Sequence, residues 1–379
     1  MSKLLLHAWS VKGYRGNYYL PYTHYIYLKE IARLYDEVVL LSPCQTVVTP
    51  KFVGEGLNAL ENVSVYELPY SPNYIGAIKN FFHYVIAYRK VKNVTTYYSR
   101  FPTPFGWLQK AFCTKKSRRI VHYVGDPVDA ANNNPNFSRL KKRLLILGFG
   151  VEDFLYRWAC KGAELYANGT HLSFKLSRYG LVAKSLVSTT LTDTDFCFEK
   201  KHVDTKNIRF VYVGYLRTAK GVETVIDAFA IFQKEYPGCS LKIVGDGELE
   251  AKLKNEVASR NIESVFFLGN IQDRERLNQV LRSSDVFLFG SNSEGSPRVI
   301  LEAMANGLPV VSTPVGSLPA TFDSSEIVFA RFNDPNDFVL GMRKLILDDE
   351  FYQSIRFKAF GRVKNMTVGG FIRDIFDEN

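Results

Sequence analysis

The sequence predicts an α/β protein of two domains, each built on a parallel sheet. Two observations carry this expectation. In the second half, the apolar runs Arg209–Gly214, Leu241–Gly245 and Val265–Gly269 each end in glycine, and stretches of helical length separate them. Strands that alternate with helices of ten or more residues need crossover connections, and crossovers produce parallel sheets. The second observation is length: 379 residues are too many for one ordinary core and suit two.

The first half follows the same rhythm. Lys3–Trp9 is predicted as a strand, Ser10–Asn17 as a loop holding Gly13 and Gly16, and about Leu20–Tyr35 as a helix. Further strands are expected at Glu37–Ser42, Val63–Leu68, Thr95–Ser99, Arg119–Tyr123 and Ala163–Ala167. The domain boundary is expected between Leu186 and Asn207, where a Ser/Thr-rich run gives way to the charged stretch Glu199–Lys206. The expected domains are residues 1–190 and 207–365. Residues 366–379 should include a last helix, about Phe371–Phe376, crossing back to the first domain.

The segment Glu294-Gly-Ser-Pro-Arg-Val-Ile-Leu-Glu302-Ala-Met-Ala-Asn-Gly-Leu-Pro309 is the most informative. It sets one carboxylate before a helix and another inside it. Pro297 lacks an N–H and has a helical φ, so it is expected at the first helical position. Ile300, Leu301, Met304 and Ala305 recur at helical spacing, and Asn306-Gly307 supplies residues that tolerate a positive φ at the end. Apolar strands flank the helix at Asp285–Gly290 and Pro309–Thr313. Glu294 therefore falls in a loop at a strand's carboxyl end, where open α/β sheets bind ligands.

This segment resembles the E-x7-E signature of the family 4 retaining glycosyltransferases. The likeness runs through Glu294-Gly295, Leu301–Ala305 and Gly307–Thr313, and the order of elements over about residues 207–350 matches the family's C-terminal half. The resemblance implies the GT-B fold, two Rossmann-like parallel-sheet domains facing a central cleft. It also implies an activity: transfer of a sugar, with retention, from a UDP- or GDP-sugar to a lipid-linked glycan, as in capsule or O-antigen assembly.

Residue by residue, the resemblance assigns roles. Glu302 would accept hydrogen bonds from ribose hydroxyls, and Glu294 would stand near the transferred sugar. Lys220 matches the family lysine that meets the diphosphate. The family arginine usually follows the glycine of that loop, where this chain has Tyr215 after Gly214; Arg217 is the candidate replacement. Gly16, Gly245, Gly295 and Ser296 lie in the corresponding donor loops, and the base would meet main-chain groups near Gly269–Ile271. Backbone N–H groups of Arg298 and Val299 should complete the diphosphate site, since a leaving diphosphate needs cations and helix N-termini. In the first domain, either Asp126 or His122 would face the sugar. A lone strand histidine is more often a core residue, which favours Asp126. The leaving phosphate is expected to take the acceptor proton in a front-face reaction. No cofactor or metal is expected to be required, and no Asp-x-Asp motif is needed.

Charge adds a partner. Residues 1–190 carry 25 Lys and Arg against 11 Asp and Glu; residues 191–379 carry 23 against 27. A basic half implies an anionic partner. The cations cluster at Lys115–Arg119 and at Arg139–Arg143, and the second cluster runs into Leu144–Phe149 and Phe154–Trp158. Basic residues beside Leu, Phe and Trp on one helix are the pattern of a segment lying on an anionic membrane, although a core helix with a solvated basic edge reads alike. The aromatic stretch Tyr74–Lys90 is a second candidate. Nucleic acid is the weaker expectation, because no recognised motif accompanies the charge. No apolar run is long enough to span a bilayer, and the opening Met1–His7 is too short for a signal peptide. Five scattered cysteines with no metal-ligand spacing suit a reducing compartment. The expected location is cytoplasmic, at the inner face of the cell membrane. The alternatives are a GT-B nucleotide-sugar epimerase, which would turn over without acceptor, and a non-catalytic sugar-nucleotide-binding scaffold.

Overall fold

The computed structural model describes residues 2–48, 54–128, 138–199 and 202–377, so two positions of the Glu199–Lys206 stretch lie outside it. The chain divides into two compact units: residues 1–186 with 371–379, and residues 187–370.

The first unit is built on strands β1 (Lys3–His7), β2 (Val11–Tyr14), β3 (Asn17–Leu20), β4 (Glu37–Thr46), β5 (Glu55–Gly56), β6 (Val63–Pro69), β7 (Thr96–Phe101), β8 (Arg118–Tyr123), β9 (Glu164–Asn168) and β10 (Lys184–Leu186). Its parallel part runs β6-β4-β1-β7-β8-β9-β10. Leu4, Leu5, Leu6 and His7 of β1 are all buried, as a central parallel strand covered on both faces requires. Helices α1 (Tyr22–Ala32), α2 (Tyr74–Lys79), α3 (Phe81–Lys90), α4 (Leu108–Phe112), α5 (Arg139–Cys160) and α6 (Thr170–Ser177) connect the strands.

The expected loop at Ser10–Asn17 is instead a β-hairpin. Val11–Gly13 pair with Cys44–Thr46, extending the sheet past β1, and β3 returns antiparallel. Arg15 (φ 48°) and Gly16 (φ 77°) form the two-residue turn, the left-handed geometry that matches strand twist. The following helix begins at Tyr22 rather than Leu20, with Pro21 as its N-cap.

The second unit holds β11 (Arg209–Val213), β12 (Ser240–Val244), β13 (Val265–Gly269), β14 (Val286–Phe289), β15 (Val310–Ser312) and β16 (Val328–Phe329). All pairs are parallel, in the order β13-β12-β11-β14-β15-β16. Its helices are α7 (Val222–Gln233), α8 (Glu250–Ser259), α9 (Arg274–Arg282), α10 (Arg298–Ala305), α11 (Leu318–Thr321), α12 (Pro335–Leu347) and α13 (Asp349–Val363). Residues 187–196 belong to this unit. Leu191 is fully buried in its core and Asp195 is 1% exposed, so the chain is anchored here well before Asn207.

Helix α14 (Val368–Phe376) closes the chain. Its residues from Phe371 onward belong to the first unit, where the Phe371 ring packs at a tilt on Tyr27 (centroids 5.5 Å) and Phe376 on Tyr98 (5.2 Å). The Arg118 guanidinium donates to the carbonyls of Ile375, Phe376 and Asp377, groups that a helix end leaves without intrahelical partners.

Candidate active site

In the second sheet the strand order reverses between β11 and β14, and ligands of open α/β sheets bind outside the strand ends at such a point. Two glycines let the loops after those strands touch. Gly221 has φ +57°, and a Cβ there would lie 1.9 Å from the carbonyl oxygen of Gly290. The Asn292 N–H donates to the Ala219 carbonyl at 2.9 Å. This contact places Lys220 Nζ in an ion pair with Glu294 Oε1, which also accepts from Ser291 Oγ at 3.2 Å. Both side chains are largely buried, 11% exposed for Lys220 and 16% for Glu294. Two sequence-predicted residues 74 positions apart are thus brought together. Arg217 lies on the same loop but is exposed and joins no ion pair among the described residues.

The loops after β11, β12 and β13 are knit by backbone bonds. Gly245, at φ +132°, approaches so closely that a Cβ would lie 2.0 Å from the Gly214 carbonyl oxygen. Leu216 N–H donates to Asp246 O at 2.9 Å, and Gly245 N–H to Gly269 O at 2.8 Å. Ile271 is half-buried and packs on the core, leaving the adjoining main chain at the rim.

Helix α10 starts one residue later than its proline suggests. Pro297 is the N-cap, with ψ 100°, and Arg298 is the first helical residue. Ile300 N–H turns back to Pro297 O at 3.2 Å. No side chain caps the helix, and among the described residues nothing accepts from the N–H groups of Arg298 and Val299. Two free N–H groups at the positive end of a helix make a ready anion site. Gly295 and Ser296 form the approach to it. Gly316 packs beneath them with φ +60°, too close to the Glu294 and Gly295 carbonyls for any Cβ (2.6 Å). Gly307, at φ +68°, ends the helix as expected.

Glu302, on α10, is held by residues the sequence reading missed. Its Oε1 accepts from Arg274 Nη1 at 2.7 Å and from Thr190 Oγ1 at 3.3 Å. Arg274 Nε donates at 2.7 Å to Asp195 Oδ1, which also accepts from Asn278 Nδ2 at 2.9 Å. Burial opposes the charge of Arg274, but the Glu302 and Asp195 carboxylates outweigh it and raise the guanidinium above its ordinary value. Burial likewise pushes Asp195 up, yet Arg274 and three hydrogen bonds pull it below the usual carboxylate range. The one available signal was Arg274 itself, a cation directly after the N-cap Asp273, where the helix dipole disfavours positive charge.

The first-unit candidates are placed differently. His122 is buried; its Nδ1 accepts from Tyr98 OH at 2.8 Å and its Nε2 donates to Asn168 Oδ1 at 2.8 Å. Both ring nitrogens are engaged, and burial lowers its pKa to about 3, so it is a neutral core histidine with no nitrogen for a ligand. Asp126 follows β8, pairs through Oδ2 with Lys175 Nζ, and accepts from Val128 N–H through Oδ1 at 2.9 Å. Gly16 sits at its hairpin turn with open space around it.

Two parallel-sheet α/β units of this kind constitute the GT-B fold, and solved structures share it over the whole chain. HepE of Anabaena, solved in complex with UDP, superposes with a TM-score of 0.66 over 99% of this chain and 98% of its own, at 17% identity. The family model described as Glycosyl transferases group 1 matches residues 193–362, nearly all of the second unit. The chain is similar to the amylovoran biosynthesis glycosyltransferase AmsK of Erwinia amylovora, 35% identical over 30% of this chain and 29% of that protein. It is also similar to protein CapJ of Staphylococcus aureus, 28% identical over 83% of this chain and 79% of CapJ. The chain spans less than half the length of several curated relatives it matches.

Proposed function

We propose that the protein is a glycosyltransferase that moves a sugar from a nucleoside diphosphate donor to a glycan acceptor in surface polysaccharide synthesis. One observation carries the reading: Lys220, Glu294, Glu302 and the uncapped N-terminus of α10 gather at the switch-point end of one parallel sheet. The similarity to AmsK, named for amylovoran biosynthesis, and to HepE, solved with UDP, supports it.

In this mechanism the free N–H groups of Arg298 and Val299 and the Lys220 ammonium bind the diphosphate. Charge grows on the diphosphate as the glycosidic bond breaks, so these groups bind the transition state more strongly than the substrate. Glu294 shares Oε1 with Lys220 and keeps an anion beside the sugar, where positive charge develops. Glu302 holds the ribose. The reaction proceeds with retention by front-face attack, the departing phosphate oxygen taking the acceptor's proton. UDP and GDP are the candidate leaving groups, and the reaction needs no divalent metal.

The acceptor is lipid-linked, and the first unit rests on an anionic membrane through α5. Along that helix Leu140, Leu144, Leu147, Val151, Phe154 and Trp158 are all exposed, at alternating spacings of four and three, which puts them on one stripe. Arg139 and Arg143 are exposed at its start, with no acidic residue in the first turn. Cations at a helix N-terminus oppose its dipole. An anionic surface offsets that cost while the apolar stripe enters the lipid. Among the described residues no helix is long and apolar enough to cross a membrane.

The reading is tested by incubating the purified protein with UDP- and GDP-sugars, with and without a glycan acceptor, in the presence of EDTA. Acceptor-dependent release of nucleotide that EDTA leaves intact is expected. Turnover of the donor alone to an epimer would establish the epimerase reading, and rescue by Mg²⁺ after loss in EDTA would refute metal independence.

A further inference from the structure

The first unit covers the two faces of its sheet with helices of different kinds. Side chains alternate along a strand, so Tyr97 and Ser99 of β7 lie on one face and Tyr98 on the other. Register sets Leu5 beside Tyr97, and Val121 of β8 beside Ser99. On that first face Ala77 of α2 and Tyr84, Ala87 and Tyr88 of α3 pack with Leu5 and Tyr97. Tyr156 and Cys160 of α5 and Leu172 and Leu176 of α6 pack with Val121 and Tyr123, and Trp107 touches both groups. The opposite face belongs to α1 and α14: Tyr98 meets Phe376, His122 meets Phe371, and Phe371 meets Tyr27. Helices α2, α3, α5 and α6 therefore form one layer, and what they expose faces away from the sheet on one side.

That outer side is apolar well beyond α5. Ile78, Phe82 and Ile86 recur every four residues across α2 and α3, and all are exposed, Phe82 by 73%. Phe174 of α6 and Tyr179 just after it are exposed as well. Of the fourteen large apolar or aromatic side chains exposed among the described residues of the first unit, eleven stand on this layer and none on α1 or α14. So one-sided a distribution marks a contact surface. The same side is cationic. Residues 74–90 hold three Lys and Arg and no acid, residues 170–179 two and no acid, and α5 five against two acids. Neither acid offsets the surface charge: Glu152 is buried, and Asp153 pairs with Arg157 at 3.0 Å. Several cations lie on aromatic rings, Arg157 over Tyr179 at 4.1 Å, Arg178 over Phe174 at 4.9 Å and Lys110 over Trp158 at 4.7 Å. A charged tip on an apolar body suits the boundary between acyl chains and headgroups.

We propose that the whole layer of α2, α3, α5 and α6, rather than α5 alone, docks on an anionic bilayer, so that the first sheet lies broadly parallel to the membrane with one helix layer between them. A helix with its side chains is about 10 Å across, which sets the height of the sheet above the headgroups. The strands then run along the surface, and their carboxyl ends open sideways over it. The order of this sheet reverses between β1 and β7, and a crevice at that point is within reach of a sugar carried on a lipid headgroup. The proposal rests on the membrane reading above and extends it from a single helix to a fixed orientation of the unit.

The test is cosedimentation of the full chain, at physiological salt, with vesicles of equal parts phosphatidylcholine and phosphatidylglycerol. Phe82→Ser/Ile86→Ser on α3 and Phe174→Ser/Tyr179→Ser at α6 should each weaken binding about tenfold or more, because each pair takes two large apolar groups out of the lipid. Lys29→Ser/Arg373→Ser, on the helices of the opposite face, should stay within about twofold of the unsubstituted protein, since charges that far from the surface are screened. Phe82→Trp reads the same contact where a serine variant fails to fold: its added emission should be quenched by vesicles with brominated acyl chains. Suppose that reversing Arg139, Lys142 and Arg143 to glutamate releases the protein, while the α3 and α6 variants bind as before and Phe82→Trp gains no quenching. The layer is then overturned, and α5 stands as the sole contact. If the unsubstituted protein ignores anionic vesicles, the membrane reading falls and this proposal with it. A dimer in analytical ultracentrifugation that the serine variants split and that vesicles leave intact would give the layer to a second copy of the chain and overturn the bilayer as its occupant.

Discussion

At the residue scale, the site works by pairing groups that burial would otherwise penalise. Lys220 and Glu294 neutralise each other, and under the proposed function each exchanges part of that interaction for a substrate charge. Lys220→Ala should therefore lower kcat more than it raises the donor KM, because its partner charge grows in the transition state; a normal kcat would remove it from the diphosphate site. Glu302→Ala should weaken nucleotide binding by about 1–3 kcal/mol in calorimetry, the range for hydrogen bonds to a charged group. Unchanged affinity would take Glu302 away from the donor. His122 makes a different prediction. Its folded pKa of about 3 lies below the ordinary 6.5, so below pH 6.5 the unfolded chain binds a proton that the native state refuses. Stability must then fall as pH drops through 6.5 and continue falling towards 3. At pH 5 this single residue should account for about 2 kcal/mol of the loss. Urea unfolding of His122→Gln at pH 7.5 and pH 5 should show a pH dependence flatter by that amount; an unchanged slope would mean that His122 titrates normally.

At the element scale, helices α5 and α10 show what periodicity reveals. Helix α10 was legible: its apolar positions, its ending at Asn306-Gly307 and the flanking strands all follow from the local sequence. Helix α5 was legible as amphipathic, but the side on which its apolar residues lie was not. Tyr156, Ala159 and Cys160 are buried, as is Glu152, which accepts from Phe105 N–H at 2.8 Å and Trp107 Nε1 at 3.1 Å. So the helix docks on the unit partly through a carboxylate, while six large apolar side chains face outward. Replacing Arg139, Lys142 and Arg143 with glutamate should release the protein from vesicles containing anionic lipid, since each cation near such a surface is worth on the order of 1 kcal/mol. Turnover with a short soluble acceptor should survive. Binding indifferent to these changes and to salt would refute the membrane role of α5.

At the scale of the whole molecule, the chain's end belongs to the unit in which it began. Phe371, Ile372, Ile375 and Phe376 are buried, and Arg118 holds the last three carbonyls from Ile375 while also pairing with Glu164 at 2.6 Å. Deleting residues 371–379 should expose that apolar surface and strip Arg118 of three acceptors. The first unit should then melt at lower temperature, while nucleotide binding by the second persists. Loss of nucleotide binding in the folded deletion variant would show that the helix serves the donor site directly. An unchanged melting profile would show that its packing contributes little.

The sequence by itself determined the α/β alternation, the strands that end in glycine, and the places of Glu294, Glu302 and Lys220 on the chain. These depend on side-chain period and on local backbone needs, which neighbouring residues fix. It misjudged Ser10–Asn17, because a short run with two glycines reads as a loop, and only the extra length of β4 gives it a strand to pair with. It placed Pro297 one residue too far into its helix, because the cap is defined by ψ, which proline leaves free. The pairing of Lys220 with Glu294 and the Asp195–Arg274–Glu302 chain were decided only in three dimensions. Asp195, Arg274 and Glu302 come from a connecting segment and two helices up to 107 residues apart, and no local pattern encodes a meeting at that separation. What brings them together is the order of the parallel strands, which sets which loops share one end of the sheet.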